Sequence, residues 1–141
     1  ADVVKSKAAE QDIIIMTAAV ADFCPSHPAD EKIKKNDSSY ESVIELERTE
    51  DILSYLGAHK TKGQLICGFS METQNMLENS KAKLAKKNAD MIVANNLKVA
   101  GAGFGTDTNV VTLITADDCT ELEIMDKSCV ASRIMDRLLQ M

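Results

Sequence analysis

The chain has 141 residues, 45% of them hydrophobic, yet only 4% aromatic with no tryptophan. That length fits one domain with a core of Val, Ile, Leu, Ala and Met, which favours an α/β protein over an aromatic-rich β-sandwich. A net charge of -6 argues against a general nucleic-acid binder, and no stretch approaches the ~20 apolar residues that span a bilayer; a soluble, cytoplasmic protein with neither nucleic acid nor membrane as partner is expected.

Residues 1–10 read as the end of an amphipathic helix. They carry no initiator Met and no signal-peptide apolar region, so the chain is expected to start partway through a larger protein. Ile13-Ile14-Ile15-Met16 has the β-branched, apolar pattern of a strand buried on both faces. It runs into Thr17-Ala18-Ala19, small residues that let a ligand approach the backbone beyond a strand end. Residues 24–41 are loop-like and hold the basic run Lys32-Ile33-Lys34-Lys35. Residues 42–48 alternate as a one-faced strand, and residues 32–35 are its expected hairpin partner. An arm over 24–48 would suit dimerisation.

Thr49 reads as the N-cap of a short helix with Glu50 and Asp51 in its acidic first turn and an end near Gly57. A buried strand is expected over 64–70 and a lysine-rich helix over 72–88. Met91-Ile92-Val93-Ala94 is another buried strand, ending at Asn95-Asn96. After the Gly-rich stretch 101–107 come a strand at 110–114, an antiparallel edge strand at 121–125 and a closing helix at 127–140. This order predicts an α/β fold with a mostly parallel sheet and an antiparallel edge.

Three strand ends are small or polar: Thr17-Ala18-Ala19, Gly68-Phe69-Ser70 and Ala94-Asn95-Asn96. In a parallel sheet they share one edge and form one crevice. Lys83 and Lys87, four apart, share a helix face, as Lys32 and Lys34 share a strand face. Each pair reads either as solvated surface or as two point charges for a polyphosphate. Cys24, Cys67, Cys119 and Cys129 form no CxxC pair and read as free thiols. His27 and His59 are isolated, and the Gly101–Gly105 segment lacks the strand-to-helix context of a dinucleotide site.

Ala18-Ala19-Val20-Ala21-Asp22-Phe23, Pro25 and Lys32-Ile33-Lys34-Lys35 closely resemble the signature of the phosphopantothenoylcysteine synthetases. The similarity continues through Asp51-Ile52-Leu53, Gly68-Phe69-Ser70-Met71-Glu72-Thr73, Lys83 to Asn88, Asp90 to Asn95, Gly103-Phe104 and Asp107-Thr108-Asn109. The resemblance implies a Rossmann-like domain with a dimerisation hairpin. It implies an ATP/CTP-type ligase that joins 4'-phosphopantothenate to cysteine through an acyl-nucleotide intermediate in coenzyme A biosynthesis, with Mg²⁺ and CTP (or ATP) as co-substrate. Partners implied are a second copy in a homodimer and a fused or associated phosphopantothenoylcysteine decarboxylase.

By position, Met16, Thr17, Ala18, Asp22, Lys32, Glu50, Asp51, Ile52, Leu53, Phe69, Lys83 and Lys87 would bind the nucleotide. Lys32 would be the catalytic cation, Ala18 and Lys32 would also meet phosphopantothenate, and Asp22 is the candidate metal contact. Glu50 replaces the family's usual Pro. The family's N-terminal strand and Gly/Thr-rich turn are absent, so the N-terminal portion of the domain is expected to be missing and the chain incomplete as an enzyme. The upstream flavin domain is absent too, so FMN is not expected. The alternative is a non-catalytic nucleotide-binding or dimerisation module derived from the same fold.

Overall fold

The computed structural model describes residues 1–32, 43–72, 75–96, 103 and 105–141. They fold as two compact units, a large one of residues 1–17 and 52–141 and a small one of residues 18–51.

In the large unit, helix α1 (Asp2–Ala8) leads into strand β1 (Ile13–Met16). In the small unit, β2 (Phe23–Pro25) pairs antiparallel with β3 (Leu46–Arg48). The large unit resumes with α2 (Ile52–Ala58), β4 (Leu65–Glu72), α3 (Met76–Lys86) and β5 (Met91–Asn96). It closes with β6 (Thr108–Asn109), β7 (Val111–Ile114), β8 (Cys119–Glu121), β9 (Met125–Asp126) and α4 (Lys127–Leu139).

Five strands form one sheet in the order β1-β4-β5-β7-β8. β1, β4 and β5 are parallel, while β7 and β8 add an antiparallel pair. The sequence pattern dictates which strands sit centrally. Met91-Ile92-Val93-Ala94 is apolar without alternation, and all four residues are fully buried because helices cover both sheet faces. Ile13–Met16 was expected to be buried on both faces as well, but β1 is the sheet's edge strand and its four residues are half-buried. An edge strand has a neighbour on one side only.

Side-chain alternation sorts the two faces. Ile13, Ile15, Leu65, Cys67, Phe69, Met91, Val93, Val111 and Leu113 pack toward α4, whose Val130, Ile134 and Leu138 recur at the four-residue spacing of one helical stripe. On the other face Ile14, Met16 and Ile66 meet Ile52, Leu53 and Leu56 of α2 and Val4 and Ala8 of α1. Gly68 is needed here, since a Cβ would lie 2.6 Å from Leu53 Cδ2 and 3.1 Å from Ile92 Cδ1. α2 also abuts the end of α3. A Cβ on Gly57 would sit 1.8 Å from the Lys87 carbonyl oxygen, and Asn88 Nδ2 donates to the Gly57 carbonyl at 2.8 Å.

Residues 46–48 pair with Phe23–Pro25; of their expected partner only Lys32 is described, and Ile33, Lys34 and Lys35 lie outside the described residues. Two local expectations change. The Thr49 hydroxyl donates to the Ala21 carbonyl at 2.5 Å and so ties the base of this ribbon, where an N-cap role was expected. The single strand expected at 121–125 is divided. β8 ends at Glu121 on the main sheet, and β9 leaves it to pair with β6. No helix of the described residues is long and apolar enough to cross a membrane.

Candidate functional site

Parallel strands bring their C-terminal ends to one edge, and the register makes that edge stepped. β1 stops at Met16, opposite Gly68, whereas β4 continues through Phe69, Ser70, Met71 and Glu72 beside β5. Strand ends that outrun a neighbour expose backbone groups that the ladder no longer satisfies. One of these, the Phe69 carbonyl, accepts a hydrogen bond from Lys83 Nζ at 2.8 Å. Lys87 Nζ donates to Ser54 Oγ at 2.9 Å, in the first turn of α2.

Lys83 lies in the last turn of α3 and Lys87 is its C-cap, yet both ammonium groups reach back along the helix, because helical side chains lean toward its N-terminus. Lys83 uses one of its three donors on a neutral carbonyl and meets no carboxylate among the described residues. An ammonium held by neutral oxygens keeps its charge available to an anion. Lys60, by contrast, is spent structurally: its Nζ lies 2.5 Å from Asp90 Oδ1, while Asp90 Oδ2 accepts the Ile66 N–H at 2.7 Å.

The expected site residues therefore divide. Met16, Thr17, Phe69, Lys83 and Lys87 belong to the large unit and stand at or reach toward the strand ends. Ile52 and Leu53 turn their side chains into the core, so only their backbone is left to offer a ligand. Ala18, Asp22, Lys32, Glu50 and Asp51 belong to the small unit. There Ala18, Asp22 and Lys32 are exposed, and the Asp22 carbonyl accepts the Thr49 N–H at 3.0 Å. Among the described residues no three His, Cys, Asp or Glu side chains cluster as a metal site.

Cys67 of β4 is no ready nucleophile. Burial, and secondarily the Asp90 charge, push the Cys67 thiol up to about 12, and it donates only a weak bond to the Gly68 carbonyl at 3.8 Å. Two residues that sequence reasoning left without a role do appear here. Ser54 holds Lys87, and Asn95 is hydrogen-bonded to Asn109, whose Nδ2 donates to Asn95 Oδ1 at 2.8 Å. The Asn95-Asn96 strand end was visible in the sequence, but a long-range amide pair has no local signature.

An α/β domain with a stepped parallel edge and two basic side chains reaching toward it is thus the class defined by the fold. The whole chain, residues 1–141, matches the family described as the DNA/pantothenate metabolism flavoprotein C-terminal domain, and the chain belongs to that family. It is 48% identical over 128 residues to the coenzyme A biosynthesis bifunctional protein CoaBC of Bacillus subtilis, covering 90% of this chain and 31% of that protein. It is 47% identical over 131 residues to a protein of an unknown prokaryotic organism named cysteine/cysteine sulfinic acid decarboxylase, covering 92% of this chain and 36% of the relative. A solved C-terminal domain of a CoaBC protein superposes with a TM-score of 0.75 at 40% identity, covering 99% of this chain and 61% of that one. The chain thus spans about a third of the length of these curated relatives.

These names correct the expected function. The family is described as a flavoprotein domain and the 47% identical relative is named a decarboxylase, where the resemblance implied nucleotide-driven amide synthesis. The ligase reading is set aside on that finding. What stands is a CoaBC-type domain with a mixed α/β fold.

Proposed function

We propose that this chain is the C-terminal domain of an enzyme of coenzyme A biosynthesis of the CoaBC type, and that its stepped sheet edge binds the phosphate-bearing end of a small molecule. The observation that carries this reading is the position of Lys83, half-buried and tied to the Phe69 carbonyl just beyond the end of β1, with Lys87 anchored on Ser54. Two fixed ammonium groups lower the cost of bringing a multiply charged phosphate against a sheet edge. Mg²⁺, where the ligand is a polyphosphate, would ride on the phosphate oxygens as such ions commonly do.

FMN, CTP, ATP and 4'-phosphopantothenate share a phosphate end, and their remainders differ. Calorimetric titration of the chain with each, the nucleotides with and without Mg²⁺, distinguishes them. Binding of at least one, weakened by added salt and by Lys83→Gln, is expected. If none binds, or if binding is unchanged in Lys83→Gln, the lysines serve only the helix C-terminus, where cations are favourable in any case.

A further inference from the structure

We propose that Asn95 is a further ligand-binding residue of this edge: its side-chain amide, oriented by Asn109, presents N–H donors to a neutral carbonyl oxygen of the bound molecule. The inference rests on the reading of the sheet edge given above.

The orientation follows from the hydrogen bonds themselves. A backbone N–H can only donate, so the Asn109 atom 3.0 Å from the Val110 N–H is Oδ1. The other end of that amide, Nδ2, is then the atom 2.8 Å from Asn95, and it requires an acceptor. That acceptor is Asn95 Oδ1. The remaining atom is Asn95 Nδ2, whose two N–H groups meet no acceptor among the described residues, while the residue is only half-buried. An exposed asparagine would turn either end outward. This one is held with its donors left over.

Its place completes the case. Asn95 pairs in register with Met71, past the end of β1. By alternation from Met91 and Val93 it lies on the α4 side of the sheet, the side toward which Phe69 packs. Lys83 and Lys87 come from α3, which together with α2 covers the opposite side. A molecule lying across the edge would meet positive charge on one side and a neutral donor on the other. That division suits a ligand with a phosphate at one end and an uncharged, carbonyl-bearing group at the other.

The test is titration of the wild-type chain and of Asn95→Ala, Asn95→Asp and Asn109→Asp with FMN, CTP, ATP and 4'-phosphopantothenate. Asn95→Ala should weaken about tenfold whichever of the carbonyl-bearing probes FMN, CTP and 4'-phosphopantothenate binds, a loss in the range of one or two net hydrogen bonds, and should leave ATP, which has no carbonyl, unchanged. Asn95→Asp should weaken it more, since a carboxylate faces the acceptor. Asn109→Asp is the positioning control: its second oxygen would draw the Asn95 NH2 group inward and turn the Asn95 oxygen toward the ligand. It should match Asn95→Ala without touching the ligand, and the Asn95→Ala, Asn109→Asp double variant should be no weaker than Asn95→Ala or Asn109→Asp alone. In the wild type, the Asn95 side-chain NH2 resonance should shift as ligand is added, a readout independent of variant folding. Wild-type binding with an unmoved resonance and unchanged affinity in the variants overturns this proposal alone. Wild-type binding to none of the four probes overturns both this proposal and the reading on which it rests.

Discussion

The two units of the chain are stabilised in different ways. Every fully buried apolar side chain among the described residues, from Ile52 to Leu138, lies in the large unit. In the small unit Val20, Phe23, Val43, Ile44 and Leu46 are 49–81% exposed, and the β2–β3 ribbon is held by backbone pairing, the Thr49–Ala21 and Ser26–Glu45 hydrogen bonds and Arg48 over the Phe23 ring. Similar residue types thus do opposite things. In the sheet they make the core, whereas in the ribbon they leave an apolar surface of the kind that marks an interaction site.

The largest effects should therefore fall on the large unit. Gly57→Ala drives a methyl group into the Lys87 carbonyl and should cost about 3 kcal/mol or more in urea denaturation, since backbone must move. Ile92→Ala, at a fully buried central position, should cost about 2–5 kcal/mol. Leu46→Ala in the ribbon should change monomer stability by no more than about 0.5 kcal/mol. A cost above about 2 kcal/mol there, independent of protein concentration, would show that the ribbon has a core of its own.

Thiol chemistry sharpens the same contrast. Native protein treated with iodoacetamide near pH 8 should label exposed Cys119 and Cys129 and spare Cys67. Rapid labelling of Cys67 would contradict its burial. The linked pH effect has a definite sign. The folded thiol is raised to about 12 against an ordinary value of about 8.5. The unfolded chain therefore loses its proton first, and stability should fall as pH rises from about 8.5 toward 12. Asp118 acts at the other end. Its hydrogen bonds from Thr120 and the Cys119 backbone, with Arg137 nearby, hold its carboxyl below the usual range. That small contribution is present at neutral pH and disappears as acid protonates the group.

A change of the opposite sign is expected at Ser80, buried on α3 with no hydrogen-bond partner for its hydroxyl among the described residues. Ser80→Ala should stabilise the fold by about 1 kcal/mol, since it removes an unsatisfied polar group. A loss of similar size would reveal an unseen partner.

Much of the fold was legible from the chain because its cues are local. The unbroken apolar run Met91–Ala94 marked a central strand, and the spacing of Val130, Ile134 and Leu138 marked a one-sided helix. Pairing was harder to read. Leu46–Arg48 alternates whichever strand it joins, and nothing local points to Phe23–Pro25 as a partner. Likewise the edge position of Ile13–Met16 depends on which strands lie beyond it, and its apolar run resembles that of a central strand. At the site, Lys83 and Lys87 stood out by their helical spacing. Their anchors, the Phe69 carbonyl and the Ser54 hydroxyl, come from other elements and emerge only from the tertiary structure. The reaction was read from resemblance alone, and the family and relative names corrected it.

The central claim is that the lysines at the sheet edge are a phosphate site and not merely helix-end charges. Its most direct measurement is the affinity of inorganic tripolyphosphate for the wild-type chain and for the Lys83→Gln, Lys87→Gln double variant at low salt. A loss of about tenfold or more, with the thermal midpoint nearly unchanged, is the expected result. Equal affinity in the two proteins would contradict the claim.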